Sequence, residues 1–101
     1  YEPGDYNCLH QDIYGEHVFP LQVAFLLSEP ERDFSGGEFV LTEETPLMQS
    51  SVEVVPLRRG TGVIFPVRER PVQGASGFYK ADMRHGVSRV RSGERFTMGV
   101  I

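Results

Sequence analysis

Apolar and polar positions alternate over short stretches of the chain, and glycine or proline interrupts nearly every stretch. An alternation with a period of two is typical of a β-strand that is half-buried in a sheet. Helical spacing is hard to find between the 11 glycines and 7 prolines. The pattern predicts about seven short strands, at 6–12, 19–29, 37–43, 51–57, 61–67, 78–90 and 95–101.

The connections between these stretches read as turns and loops. We expect a turn over 31–37, where Gly36 and Gly37 suit positive φ, and another over 91–94. The segment 68–77 is predicted to be a long loop, which would serve either as a lid over a substrate or as an ordinary connection. A parallel α/β fold needs crossover helices that have no place here. An all-β sandwich or barrel is therefore favoured, and a jelly roll, with its open mouth, is the natural small choice.

The size and composition are those of one ordinary soluble domain spanning 1–101, since 40% of the residues are hydrophobic and 24% are charged. No apolar run is long enough to cross a bilayer, so we expect no membrane partner. Because the chain starts at Tyr1 and stops within an apolar run, we expect a domain core truncated at both ends from a larger α+β chain. Cys8 is the only cysteine, which excludes an internal disulfide and fits a reducing compartment such as the cytoplasm.

Charge is unevenly distributed along the chain, although the net charge is only −4. Residues 1–67 carry 3 basic and 11 acidic side chains, whereas residues 68–101 carry 7 basic and 3 acidic ones. A basic end of this kind is compatible with a polyanionic partner, but it is equally compatible with an uneven solvated surface. Arg84, Arg89 and Arg91 lie in this end and would either contact phosphates or point outward into solvent.

His10 and Asp12 form a His-x-Asp pair in the first predicted strand. Residues two apart on a strand point to the same face, so an imidazole and a carboxylate would lie side by side. A metal site needs a third donor, for which His17 and His85 are the candidates. The alternative is that His10 and Asp12 are simply two surface residues, because short motifs have a high false-positive rate.

His10, Asp12 and His85 would together make a two-histidine, one-carboxylate facial triad, which leaves one side of an octahedral metal open, as in non-haem Fe(II) oxygenases. Arg95 follows His85 by ten residues, and Thr97 shares a strand face with Arg95. An arginine and a hydroxyl projecting beside a metal would bind a carboxylate. The alternative is that Arg95 points outward and pairs with an acidic neighbour.

An early His-x-Asp, a late histidine and an Arg-x-Thr ten residues after it resemble the 2-oxoglutarate- and Fe(II)-dependent dioxygenase superfamily. The opening "YEPGDYNCLHQD" is similar to the signature of AlkB-type oxidative dealkylases of damaged bases. The blocks "SGGEFVLTE", "GTGVIF" and "RHGVSRVRSGER" resemble a prokaryotic group of oxygenases that act on damaged DNA. The resemblance covers nearly the whole chain and implies a double-stranded β-helix, a cupin-like variant of the jelly roll.

The resemblance implies that His10, Asp12 and His85 bind Fe(II), and that Arg95, assisted by Thr97, binds the distal carboxylate of 2-oxoglutarate. Tyr1 stands where the AlkB pattern places a tyrosine that touches this co-substrate. Tyr6 shares the parity of His10 along the predicted strand, so it would be either a further co-substrate contact or a half-buried core tyrosine.

The activity implied is O2-dependent hydroxylation of a C–H bond with release of succinate and CO2, here oxidative demethylation of alkylated bases in DNA or RNA, a DNA-repair reaction. The spacing from His85 to Arg95 is closer to that of the prolyl-hydroxylase branch, so a protein side chain or a small molecule is the alternative substrate. A further alternative, from another class, is a cupin-like binding module without catalysis.

Overall fold

Ten β-strands account for the regular structure in a computed structural model that describes residues 1–13, 19–47 and 49–100. In chain order they are β1 (Asn7–His10), β2 (Leu21–Leu26), β3 (Phe34–Gly36), β4 (Phe39–Glu44), β5 (Ser50–Val55), β6 (Gly62–Pro66), β7 (Glu69–Gly74), β8 (Gly77–Val87), β9 (Val90–Gly93) and β10 (Thr97–Val100). The described residues include no helix, which confirms the all-β prediction. Nothing in the described ranges is therefore a helix capable of spanning a membrane.

The strands form three antiparallel sheets. The largest has the order β1-β8-β4-β5. Its fifth strand, β7, pairs with the first half of β8, on the same side of β8 as β1, which pairs with the last residues of β8. A three-stranded sheet has the order β10-β2-β6, and β3 pairs with β9. Non-consecutive neighbours such as β1 and β8 bring distant parts of the chain together. The arrangement is jelly-roll-like and is not a closed barrel.

A small apolar core joins the two larger sheets. Phe39 on β4 and Phe65 on β6 face each other with ring centroids 5.1 Å apart. Leu26, Phe34 and Leu57 complete the buried cluster. Successive residues of a strand point to opposite faces, so one face of each of these sheets packs against this core.

The prediction of a long loop over 68–77 is wrong, because most of this segment is β7 and pairs residue by residue with β8. Proline had argued against a strand there. Pro71 is accommodated because β7 pairs only with β8 among the described strands, and an edge strand tolerates a residue without an N–H. The segment and the start of β8 are therefore a β-hairpin whose turn lies between Gly74 and Gly77.

Two predicted turns also contain short strands, β3 and β9. Gly36 has a φ of 70° and Gly37 a φ of 61°, as expected for this pair. Gly93, within the predicted turn 91–94, has a φ of 77°, and a Cβ there would overlap the backbone of Asp33. Glycine is thus needed in these segments both for turning and for the close approach of two strands. The last strand begins at Thr97 rather than at residue 95, where it was predicted to begin.

Candidate metal centre

A β-bulge in β1 decides which side chain faces β8. Asn7 lies opposite Val87, but His10 lies opposite His85, so the register shifts by one residue between these pairs. With an unbroken register, Leu9 would occupy the position opposite His85. A bulge re-aims the residues that follow it, and here it turns the His10 imidazole towards His85.

Gly86 is the residue of β8 against which this bulge packs. A Cβ on Gly86 would lie 2.6 Å from the carbonyl oxygen of Asn7 and 3.1 Å from the backbone nitrogen of Leu9. The first distance is too short for a real contact with a backbone atom that cannot rotate away. The absence of a side chain at Gly86 therefore permits the close approach that the bulged strand needs.

His10, Asp12 and His85 converge on one point. The imidazole rings of His10 and His85 are 4.2 Å apart between centroids. Asp12 Oδ1 lies 3.4 Å from His10 Nε2, and Asp12 Oδ2 lies 3.1 Å from His85 Nε2. One ligand atom from each of the three residues lies within 4.8 Å of the other two. The predicted triad is thus assembled, although Asp12 lies just beyond the end of β1.

The hydrogen bonding of His10 suits a metal ligand. Its Nδ1 lies 2.6 Å from the carbonyl oxygen of Cys8, so Nδ1–H donates and the lone pair of Nε2 faces Asp12. His85 is only 7% exposed and lies against Phe39 and Phe65, at ring-centroid distances of 6.2 and 4.6 Å. Two imidazole nitrogens and one carboxylate form a donor set that fits Fe(II).

The protonation equilibria favour a neutral imidazole beside a carboxylate. Burial lowers the pKa of His85, and the nearby His10 acts in the same direction, against an opposing effect of Asp12. Burial by itself would raise the pKa of Asp12. Hydrogen bonds from Gln22 and His85, together with the attraction of both imidazoles, nevertheless hold the Asp12 pKa below its usual value. Both shifts favour the metal-binding forms, neutral histidine and ionised aspartate.

Arg95 is the most buried charged side chain among the described residues, with 2% of its surface exposed. Its Nε and Nη1 atoms have no hydrogen-bond partner within the described part of the chain. Burial lowers the pKa of Arg95, although an arginine remains a cation at neutral pH. A Cβ on Gly37 would lie 2.9 Å from Arg95 Cδ, so this glycine makes room for the side chain. A buried guanidinium with unused donors is suited to an anionic ligand.

One cavity of about 210 Å³ brings the predicted residues together. Its lining includes His10, Asp12, His85, Arg95, Thr97 and Tyr1. The Arg95 guanidinium carbon lies 5.1 Å from the centroid of the Tyr1 ring. The Thr97 hydroxyl donates to the carbonyl oxygen of Phe25 at 2.9 Å, so its proton is used within the protein and only its oxygen is left to accept.

Tyr6 is not part of this lining. It is 53% exposed, and the guanidinium of Arg89 lies 4.4 Å from its ring centroid. The parity argument that placed Tyr6 beside His10 assumed an uninterrupted strand, and the bulge between Asn7 and His10 breaks that parity. His17, the other candidate for the third ligand, lies outside the described residues.

The chain matches a known protein family over its whole length. A family described as "Oxygenase, catalysing oxidative methylation of damaged DNA" matches residues 1–101. The chain belongs to this family, Oxygenase-NA. The match covers every residue of the site, from Tyr1 to Thr97.

The Oxygenase-NA chain is also similar to two proteins of Mycobacterium tuberculosis, one from each of two strains, both named "Uncharacterized protein". It is 50% identical to each over 101 residues, which is 100% of this chain and 43% of the relative. The chain thus spans less than half the length of these curated relatives. No solved structure matches it.

Several residues of the cavity were not predicted from the sequence of this Oxygenase-NA chain. Asn7, Gln22, Phe39 and Phe65 all contribute to the lining. The alternation of strand faces puts Asn7 and His10 on opposite faces, and the bulge between them brings both to the cavity. Gln22 lies within the apolar stretch "FPLQVAFLL", and only the pairing of β2 in the opposite sheet shows that it faces inward. A polar residue at a predicted core position was the one available indication.

A second, larger cavity lies on the same face of the five-stranded sheet as His85. It has a volume of about 430 Å³, and its lining comprises Leu41, Thr42, Glu43, Ser51, Glu53, Pro66, Arg70 and Met83. Leu41 is the direct cross-strand partner of His85, and Met83 precedes His85 by two residues. The Arg70 guanidinium crosses β8 to reach Glu43 at 2.7 Å. We call this the mouth cavity, and Leu41 and Met83 are its residues next to His85.

The basic residues of β8 do not line the mouth cavity. Ala81, Met83 and His85 are buried on the inner face, so Lys80 and Arg84 alternate to the outer face. Lys80 is 3.6 Å from Glu69 at an exposed position. Lys80 and Arg84 therefore do not face the triad, and Arg70 is the basic side chain in the lining of the mouth cavity.

Proposed function

We propose that this chain is the catalytic core of an Fe(II)- and 2-oxoglutarate-dependent dioxygenase that removes alkyl groups from damaged DNA bases by oxidation. One observation carries the proposal: three metal-donor side chains and a buried arginine with unused donors line a single cavity. A metal ligand set alone is compatible with a binding module. A triad with a neighbouring buried cation is instead suited to a co-substrate that ligates a metal and carries a second anionic group.

His10, Asp12 and His85 would hold Fe(II) through two imidazole nitrogens and one carboxylate. When bound, the metal would supply O2 activation for hydroxylation of a C–H bond, with 2-oxoglutarate as the source of the two further electrons. The protein positions the donor side chains and provides an apolar wall beside them. Phe39 and Phe65 pack against His85 and exclude water from that side of the site.

Arg95 would bind the distal carboxylate of 2-oxoglutarate. The planar guanidinium presents paired N–H donors to a carboxylate, and burial strengthens the attraction because little water competes. Tyr1 and Thr97 border the same cavity. A carboxylate only accepts hydrogen bonds, so Thr97 would assist Arg95 only if its hydroxyl turned from the Phe25 carbonyl oxygen to the ligand. The ligand would thus span from Arg95 to the metal side of the cavity.

The mouth cavity is the proposed place for the damaged base. Its 430 Å³ volume is within the range of small-ligand pockets, and it adjoins His85 through Leu41 and Met83. A base reaches such a pocket when it leaves the helical stack. Hydroxylation of an N-methyl group gives an N-hydroxymethyl group, which releases formaldehyde and restores the N–H. An oxygenase of this chemistry would therefore remove a methyl group.

Arg95→Lys is expected to weaken 2-oxoglutarate binding while leaving metal affinity nearly unchanged. Lysine keeps the charge but loses the planar fork, so the loss should be about 1.5–3 kcal/mol, or roughly 10- to 150-fold. Calorimetric titration of the Mn²⁺-loaded protein with 2-oxoglutarate measures it. Arg91→Lys, at an exposed position, serves as the control. Equal affinity in Arg95→Lys and the unaltered protein would remove Arg95 from the co-substrate site.

The function itself is tested by succinate formation in the presence of Fe(II), O2 and 2-oxoglutarate. Methylated oligonucleotides, the matching unmethylated oligonucleotides and proline-containing peptides form the three substrate arms. We expect succinate and formaldehyde above background only with the methylated oligonucleotides, and neither with Asp12→Ala. Turnover only with peptides would favour the protein-hydroxylase alternative. Metal binding without turnover in any arm would favour a non-catalytic binding module.

A further inference from the structure

Gln22 is a polar residue in an otherwise apolar inner face. It lies on β2, where Gln22, Ala24 and Leu26 point into the space between the sheets. Only 6% of its surface is exposed. A long amide side chain at such a position loses hydration and conformational freedom, so an apolar residue of similar size would serve the fold equally well.

The Gln22 amide contacts the metal-binding carboxylate from the opposite sheet. It makes a side-chain hydrogen bond with Asp12, whose oxygens also approach His10 and His85. An ionised carboxylate only accepts, so the Gln22 nitrogen is the donor. Asp12 lies beyond the last residue of β1 and is not held by strand pairing. The orientation of this carboxylate therefore depends on its side-chain partners.

Gln22 borders the cavity that holds the triad, and one half of its amide makes no hydrogen bond with the described part of the chain. Gln22 Oε1 is buried and has no hydrogen-bond partner within the described part of the chain. Gln22 belongs to the lining of the 210 Å³ cavity, together with Asp12 and Arg95. A buried acceptor in a polar cavity is normally satisfied by a bound molecule with an O–H or N–H.

We propose that Gln22 is a positioning residue of the metal centre: its N–H fixes the Asp12 carboxylate, and its Oε1 accepts a hydrogen bond from a donor bound on the cavity side. The inference rests on the proposed metal centre. Gln22 itself is not a ligand, and it acts through Asp12. Residues that orient a metal ligand in this way typically change metal affinity by about 10- to 100-fold when they are replaced.

The test is Gln22→Met, which keeps the length and volume of the side chain but removes both the donor and the acceptor. Co²⁺ is titrated into the metal-free protein, its visible absorption spectrum is recorded at saturation, and thermal unfolding of the metal-free protein is followed separately. We expect Co²⁺ affinity to fall about 10-fold or more, the spectrum at saturation to change, and the unfolding temperature to stay the same or rise.

Ser28→Ala is the matched control, because Ser28 is also buried and polar, lies just beyond β2 and accepts a hydrogen bond from the Phe96 backbone N–H at 2.8 Å. It should lower the unfolding temperature and leave Co²⁺ affinity within about twofold, since Ser28 is not part of the cavity lining. An unaltered affinity and spectrum in Gln22→Met would overturn the inference. So would an affinity loss accompanied by a fall in unfolding temperature as large as that of Ser28→Ala.

His85→Ala separates this inference from the proposed function. If the unaltered protein binds Co²⁺, His85→Ala does not and Gln22→Met is unchanged, only the role of Gln22 is refuted. If the unaltered protein binds no Co²⁺, the metal centre is refuted and the role of Gln22 with it.

Discussion

His85→Ala is expected to abolish metal binding and, with it, any oxygenase activity. His85 supplies one of the three converging donors, and its Nε2 lies 3.1 Å from Asp12. Removing a direct ligand should cost more than the roughly 10- to 100-fold typical of residues that only orient a ligand. His10→Ala and Asp12→Ala should behave alike. Equilibrium dialysis against Fe²⁺ under anaerobic conditions, or a Co²⁺ titration, measures the loss.

The buried position of His85 requires a folding control, because alanine leaves a gap beside Phe39 and Phe65. A milder variant is Asp12→Asn, which keeps the shape of the side chain but loses the charge that would bind a cation. His17→Ala should retain both metal binding and activity. If His17→Ala lost the metal while His85→Ala retained it, the assignment of the third ligand would be wrong.

Gly86→Ala is expected to damage the metal site without touching any ligand. Its Cβ would lie 2.6 Å from the Asn7 carbonyl oxygen, so β1 must move away from β8 and take His10 with it. Overpacking of this kind typically costs about 1–3 kcal/mol of folding stability. The displaced His10 should also lower metal affinity by about 10-fold or more, as for other losses of ligand orientation.

Gly99→Ala provides the comparison for Gly86→Ala. Gly99 lies in β10 at the wall of the 210 Å³ cavity, its φ is outside the left-handed region, and a Cβ there would have no heavy atom within 4 Å, so it would contact none of the three donor side chains. Its substitution should leave metal affinity unchanged and stability the same or slightly higher. Thermal unfolding and Co²⁺ titration are measured for both variants. Gly86→Ala places a methyl group against the Asn7 backbone, and Gly99→Ala places one where no atom is in contact. Equal Co²⁺ affinities in both would show that the bulge does not position His10.

The residue pattern was sufficient to predict the all-β class, whereas it left His17 and His85 open as the third donor. The family resemblance named His10, Asp12 and His85, and the structure brings one donor atom of each within 4.8 Å of the others. Neither the pattern nor the resemblance was sufficient for strand register. The bulge that places His10 rather than Leu9 opposite His85 depends on contact between Asn7 and Gly86, which are far apart in the chain. The same long-range pairing explains why Tyr6 was expected in the cavity and is not part of its lining.

The strands that escaped prediction contain residues that disfavour strands on local grounds. β7 includes Pro71, and β3 and β9 include glycines with positive φ. Their pairing depends on edge position and on close backbone approach, neither of which is visible in a local pattern. Gln22 was not predicted for a related reason. It lies on β2, whereas its hydrogen-bond partner Asp12 follows β1, which belongs to a different sheet.

The position of β1 at the edge of its sheet would couple binding of the proposed metal to the folding equilibrium. Among the described strands, β1 pairs only with β8, over a short stretch, and it leads directly to Asp12. Asp12 and His85 are 73 residues apart, so a metal held by both closes a long loop of chain. A ligand present at 100 times its dissociation constant stabilises the folded state by about 2.7 kcal/mol. The bound metal would thus hold β1 against β8, so amide hydrogen exchange in β1 should slow when the metal is bound.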